Sequence, residues 1–285
     1  MPFLDKLFRS LPDFKGKRKL ARFFFKELIK SGSDILIEGE SLCSYLLPNI
    51  KESIAFDLFI NGIYERETND FFLRRLPPSG VFLDLGANIG SITIPLLKQR
   101  PDLTSICVEA APWIFKYLEK NLSSNNLNEN TSKINKALWK QSGLKLPFYS
   151  PFEQFGKGSL ASVFTKEAVM IETITIDDLL KEKNISRVDM VKIDIEGYEY
   201  FAFEGAKNLL QSEDAPDIYF EFVDWAQERA GIQKGAEQQL LRSFGYKIFL
   251  LNKNGDDFLE TENIVKGSEM MLASKKIKPK FKNAK

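Results

Sequence analysis

The chain has 285 residues, enough for one large α/β domain with an attachment or for two small domains. Its 40 Lys+Arg and 39 Asp+Glu nearly cancel, which excludes the global basic field of a nucleic-acid binder, and no nucleic-acid partner is expected. Histidine is absent (His 0), which removes Ser-His-Asp catalysis, histidine-rich metal sites and the commonest general base, leaving acid–base chemistry to Asp, Glu, Lys, Tyr or Cys.

Cys43 and Cys107 are too few for a disulfide framework or a cysteine zinc site, and they suit a reducing cytoplasm. No stretch approaches the ~20 continuous apolar residues of a membrane span. The opening MPFLDKLFRSLPDF lacks a secretory signal's apolar core and cleavage site, so a cytoplasmic protein is expected.

In chain order, KGKRKLARFFFKELIK (15–30) sets basic residues around Leu20, Phe23, Phe24, Leu28 and Ile29 and reads as an amphipathic basic helix. Two readings stand. The helix lies on the main domain with a solvated basic face, or it touches a partner or an anionic membrane surface, placing the protein at the inner face of a membrane. Residues 1–60 are therefore set apart as a helical, basic extension. VFLDL (81–85) predicts a strand ending in a glycine turn and followed by a helix. LTSICVE (103–109) predicts a second strand, and APWIFKYLEKNL a second helix with Pro112 in its first turn.

KINKALW (133–139) reads as a third strand. LKLPFY and AVMIETI read as extra antiparallel strands around a polar insert, SPFEQFGKGSLAS, and Thr175 with Asp178 caps the helix IDDLLKEK. VDMVKID (188–194) and DIYFEFV (217–223) are the fourth and fifth strands, separated by the helix YFAFEGAKNLLQ. A helix, a stop at Gly245, a strand and a final strand EMMLAS (269–274) complete the domain, 61–274, before a lysine-rich tail, 275–285. Alternating strands and helices predict a mainly parallel sheet covered on both faces. Such sheets bind ligands at the carboxyl ends of their strands, near the switch in strand order.

The first chemical motif is VFLDLGANIGS (81–91), where Asp84 precedes Gly86, Ala87, Asn88, Ile89 and Gly90. The spacing is G-x-x-x-G rather than the dinucleotide G-x-G-x-x-G, and an acid sits inside the strand end. A carboxylate there repels a pyrophosphate and attracts a cation, which points to S-adenosylmethionine, a nucleoside with an ammonium and a sulfonium. Glu109, closing the second strand, is placed to accept hydrogen bonds from ribose hydroxyls. Pro95 must lie in the first turn of the following helix or kink it.

VFLDLGANIGSITI, VEAAPWIFKYLEKN and VDMVKIDIEGYEYFAFEGA together resemble the FkbM-type S-adenosylmethionine-dependent methyltransferases, most specifically through D-x-x-K-I-D-x-E-G-x-E at Asp189–Glu199. NGIYERETNDFFLRRL, INKALWKQSG and VMIETITIDDLL also resemble the family's intervening blocks. The resemblance implies a class I, Rossmann-like α/β fold with a seven-stranded, mostly parallel sheet in order 3-2-1-4-5-7-6, the last strand antiparallel. It further implies methyl transfer to a hydroxyl oxygen of a sugar, a glycan or another small hydroxylated metabolite. Carried over by position, Asp84, Gly86, Ala87, Asn88 and Gly90 hold the amino-acid end of S-adenosylmethionine, and Glu109 holds its ribose. Ala137 and Leu138 lie near its adenine, and Glu65 at the mouth of its site. The acceptor is not fixed by the family.

Loss of the hydroxyl proton calls for a base. Asp194 ends the fourth strand; Glu196 and Lys192 share its parity if the strand continues. Asp194 or Glu196 is expected as base, or as ligand of a divalent cation that Glu221 and Asp224 would help to hold. The alternative is that Glu196 and Glu199 merely complement the positive end of the next helix. Gly158, Ser159 and Ser162 of the polar insert are candidates for an acceptor-recognition loop. Trp113, Tyr149 and Trp225 are candidate stacking faces, unless they only pack. Two rivals to a methyltransferase remain at this point, a nicotinamide-dependent oxidoreductase and a non-catalytic binding protein of the same fold.

Overall fold

In a computed structural model, the structure describes residues 4–12, 14–163, 165–251 and 258–277. The amino-terminal part comprises α1 (Leu4–Ser10), α2 (Lys17–Phe24), α3 (Lys26–Ser31), the hairpin β1 (Ile35–Glu38) and β2 (Ser44–Leu47), α4 (Ser53–Asn61) and α5 (Arg66–Arg75). β3 (Val81–Leu85), α6 (Thr93–Gln99), β4 (Thr104–Val108), α7 (Pro112–Ser124) and β5 (Thr131–Ile134) follow. A side sheet is made from β6 (Ala137–Leu138), β7 (Lys145–Tyr149) and β8 (Ala168–Ile174). The chain re-enters the main sheet through α8 (Ile176–Glu182), β9 (Met190–Ile193), α9 (Glu199–Glu204), α10 (Lys207–Gln211) and β10 (Asp217–Val223). It ends with α11 (Asp224–Arg229), α12 (Ala236–Ser243), β11 (Lys247–Leu251), β12 (Phe258–Glu260) and β13 (Ser268–Ser274).

The main sheet has eight strands in the order β12-β11-β13-β10-β9-β3-β4-β5. From β5 to β10 every pairing is parallel, and β13 runs antiparallel to both β10 and β11. The order from β5 to β11 is the expected class I order. β12, which zips onto β11, is an eighth strand beyond the seven expected. Its three residues, FLE, are too short to show a period. Strand order reverses between β3 and β9, and that is where a crevice opens.

Both faces are dry. Phe82 and Cys107 join one apolar core with Phe56 and Phe59 of α4, while Leu83, Leu85, Val191 and Ile193 join a second core on the opposite face. This alternation explains why the central strands read as continuous apolar runs. Both cysteines are buried free thiols. Pro95 is the third residue of α6, where its missing N–H costs nothing.

Two sequence expectations change. The segment 133–139 is not one strand: Thr131–Ile134 joins the main sheet, then the chain turns and Ala137–Leu138 pairs in parallel with β8. The basic segment is two helices broken at Phe25, whose ring is buried edge-on against Phe59 at 4.8 Å. Its inward positions are Lys17, Ala21 and Phe25, and Lys17 Nζ donates to the Leu11 carbonyl; Phe23 and Phe24 face outward. Among the described residues no helix is long and apolar enough to cross a membrane. Residues 278–285 of the lysine-rich tail lie outside the described residues.

The free edge of β2 is closed by side chains rather than by a strand. Asn121 and Asn125, one helical turn apart on α7, meet Leu46 and Ser44, which are alternate residues of β2. Asn121 Oδ1 accepts the Leu46 N–H at 2.7 Å, and Asn125 Oδ1 accepts the Ser44 N–H at 2.8 Å. Their amide nitrogens return bonds to the Leu46 and Ser44 carbonyls, and Asn121 Nδ2 also donates to Ile89 O in the glycine turn. Replacing Asn121 with Leu strands these backbone groups, and urea denaturation is expected to show a loss of about 2 kcal/mol or more.

Candidate active site

Three strand ends meet at the order switch, and an open cleft lies above them. Its floor is Gly86, Ala87 and Asn88 after β3. Gly86 (φ +82°) and Asn88 (φ +52°) adopt left-handed backbone, which Gly allows freely and Asn tolerates. At Gly86 the constraint is also steric: a Cβ would stand 2.0 Å from the Asp194 carbonyl oxygen. The turn can therefore lie directly on the end of β9 only as glycine.

Glu109, at the end of β4, is buried in the cleft wall. Its carboxylate accepts the Asn88 N–H at 3.0 Å and the Ala111 N–H at 2.8 Å, leaving further lone pairs for a ligand's hydroxyls. Burial raises its pKa to about 7 against the pull of these two amides. Ala137 and Leu138 extend the wall as an apolar strip. Glu65, an exposed residue with left-handed backbone (φ +44°), stands at the mouth.

Asp84 does not reach the cleft. It is fully buried beneath the turn, accepting Thr93 Oγ1 at 2.7 Å with its other oxygen 3.5 Å from Lys192 Nζ. Gly90 also stands behind the turn, packed on Ile94 and Leu118. Lys192 lines the floor and donates to Gly86 O at 3.0 Å. Burial pulls its pKa down, but Asp84, Asp194 and Glu65 outweigh that pull and hold it above the ordinary value. A lysine kept charged in this way is a fixed cation.

Asp194 and Glu196 both line the cleft, yet β9 stops at Ile193 and strand parity does not carry through. Glu196 takes a left-handed conformation (φ +56°), followed by Gly197 (φ +93°), where a Cβ would press within 2.6 Å of Ala226 Cβ. Glu196 Oε1 is held by Lys157 Nζ at 2.9 Å. Burial, then Asp194, raise the Glu196 pKa to about 7 against the charge of Lys157. Glu221 is pushed upward by burial and by Asp194, Glu196 and Glu199. The expected cation site at Asp194, Glu196 and Glu221 is not formed: Glu196 is engaged by Lys157, and no metal-holding group of three or more His, Cys, Asp or Glu occurs among the described residues. Asp224 instead accepts the Gly267 N–H.

The insert does fold over the cleft, but through Phe155, Gly156, Gly158 and Leu160. Ser162 is exposed and donates to Thr165 O. Ser159 and Trp225 instead line a smaller depression with Lys157, Arg229 and Glu196, and Glu196 borders both spaces. Trp113 packs against Phe152 and Phe155 and bonds Ser150, while Tyr149 pairs through its backbone with Ser159. Residue types alone did not reveal Ile54, Tyr64, Tyr198 and Met270, which complete the cleft from distant segments.

The sheet order, the glycine turn over the switch point and the carboxylate at the next strand end define a class I S-adenosylmethionine-dependent methyltransferase. The family model described as the methyltransferase FkbM domain matches residues 84–248, more than half of the 285 residues, and the chain belongs to that family. Membership decides against the nicotinamide reading. Methyltransferase sdnD of Sordaria araneosa is 22% identical over 200 residues, covering 60% of this chain and 74% of its own. Methyltransferase 1 of Beauveria bassiana is 22% identical over 182 residues, covering 56% and 70%. Among solved structures, a precorrin-6y C5,15-methyltransferase from Geobacter metallireducens is 15% identical and superposes with a TM-score of 0.42 over 75% of this chain and 90% of its own.

Glu199, just past the cleft, is structural. It is 1% exposed, and its Oε1 accepts the Ile195 and Gly197 N–H groups, pinning the turn that carries Glu196. Burial raises its pKa from 4.5 to about 8. A raised carboxylate pKa gives stability that is complete below the unfolded value and lost as pH climbs through the folded one. Glu199→Gln keeps the accepting oxygen and removes the charge. Thermal and urea unfolding from about pH 5 to pH 8 should show the wild type falling behind the variant by about 2 kcal/mol or more at the upper end.

Proposed function

We propose that this chain transfers a methyl group from S-adenosylmethionine to a hydroxyl oxygen of a sugar, glycan or other small hydroxylated acceptor. One observation carries this reading: Glu196 borders both the main cleft and the neighbouring depression, so a carboxylate stands where two ligands would meet. The cleft suits the cofactor chemically. Carboxylates of Glu65 and Asp194 favour a ligand bearing an ammonium and a sulfonium, Glu109 offers lone pairs to a diol, and Ala137 and Leu138 offer an apolar face to adenine. When bound, S-adenosylmethionine supplies a sulfonium-activated methyl group.

The chain's own contribution is alignment, exclusion of water and removal of one proton. The backbone of Gly86 to Asn88 bears on the amino-acid end, and Lys192 keeps the Gly86 carbonyl in place. Phe155 and Leu160 of the insert shield the space above. An acceptor enters past Trp225 and Arg229, whose guanidinium lies 5.2 Å over the indole ring. Its hydroxyl gives its proton to the Glu196 carboxylate as the new oxygen–carbon bond forms. A carboxyl with a pKa near 7 is well matched to that task near neutral pH.

A labelled-methyl transfer screen over glycans and hydroxylated metabolites, run beside calorimetric titration with S-adenosylhomocysteine, tests the reading. S-adenosylhomocysteine is expected to bind, and Glu109→Ala to weaken it roughly tenfold or more. With an accepted substrate, kcat/KM should rise with pH through about 7 as Glu196 deprotonates. Glu196→Gln should lower kcat roughly 100-fold and flatten that limb. Unchanged turnover in Glu196→Gln overturns the base assignment, and cofactor binding without transfer to any acceptor favours a binding protein.

A further inference from the structure

The outward face of α2 leaves large apolar side chains in the open. Ala21 and Phe25 point into the core, and with them the buried stem of Lys17. Phe23 (75%) points the opposite way, flanked by Leu20 (43%), by Phe24 (48%), whose ring also meets Phe8 at 6.0 Å, and, just before the helix, by Phe14 (44%). The Phe23 and Phe24 rings touch edge-on at 5.6 Å, so the apolar exposure is contiguous at its centre. On a helix of 3.6 residues per turn, Lys19 falls on the same side as Phe23, and Lys26 opens α3 just past the break at Phe25. Lys15, Lys19 and Lys26 are exposed and have no hydrogen bond or ion pair among the described residues. The acid of these two helices, Glu27, is answered by Lys30 at 3.3 Å.

We infer that this face docks on the surface of an anionic lipid bilayer. Phe23 and its neighbours enter the boundary between headgroups and acyl chains, and the lysines lie among the anionic headgroups. The charge pattern selects this occupant. A second copy of the chain would bring two lysine-rich faces together, and a soluble polyanion would answer the lysines while leaving Phe23 in water. The docking helix is also firmly seated. Arg18 pairs with Asp57 of α4 at 2.6 Å, and the Arg22 guanidinium lies 4.6 Å over the Phe56 ring. The first turn of α4 carries Ile54 into the cleft wall, so the bound surface lies one helix away from the cleft.

Co-sedimentation of the full chain with vesicles of phosphatidylcholine alone, or of an equimolar mixture with phosphatidylglycerol, tests the inference. Binding is expected to the mixed vesicles only, and to weaken with added salt. The pair Lys19→Glu and Lys26→Glu should reduce partitioning roughly 25-fold or more. Phe23→Ser should reduce it roughly tenfold or more. These side chains are exposed, so circular dichroism and the melting temperature should match the wild type. Equal affinity for both vesicle types, no binding to either, or variants that bind as well as the wild type would overturn the inference. Phe23-dependent dimerisation in sedimentation velocity without vesicle binding would overturn it in favour of a second copy.

Discussion

A buried ammonium holds the ligand-binding end of the sheet together. Lys192 Nζ lies under the glycine turn, bonded to the Gly86 carbonyl and beside the fully buried Asp84 carboxylate. Through it β9 grips β3 at the switch in strand order, and Thr93 fastens the start of α6 to the same carboxylate. Removing one member of such a pair leaves the other charged and dry, which typically costs about 3–5 kcal/mol. The geometry above depends on it. Gly86 can rest on the Asp194 carbonyl only while its own carbonyl is drawn toward Lys192. The positive charge also makes it affordable to keep Asp194 and Glu65 so close to each other.

The acids around this cation divide their work by what they touch. Glu109 has a carboxylate braced by two backbone amides and a face left open to the cleft. Glu199 is spent on the backbone of its own turn. Glu196 is raised first by burial and then by the Asp194 charge, against the Lys157 ammonium. In a chain without histidine, that balance sets a carboxyl close to neutrality, where an imidazole would otherwise stand.

Much of this was legible in the sequence where local rules govern. VFLDLGANIG announces a strand and a turn needing left-handed backbone, and the strand order follows from alternating elements and short connections. Thr175 does cap its helix through the Asp178 N–H. The role of Asp84 was not legible, because a carboxylate at a strand end reads alike whether it faces ligand or a buried lysine 108 positions on. Glu196 does share the cleft with Asp194, but through a turn after β9 ends at Ile193 rather than through strand parity. Of the two readings of the basic helix, the one that lays Phe23 inward does not hold, because Ala21 and Phe25 take that place. Hydrophobicity marks what is apolar, and only tertiary packing says which apolar side is covered. Tyr64 and Met270 join the cleft from opposite ends of the chain, and no local pattern encodes such a meeting.

The bond from Lys192 to Gly86 spans 106 positions along the chain. Such a non-local closure carries a larger loop-closure entropy than the local bonds of the turn itself. A nascent chain that has made its glycine turn but not yet β9 has no cation beneath the loop and no Asp194 carbonyl for it to rest on. The cleft has its complete lining only once β9 has joined β3 in the central sheet.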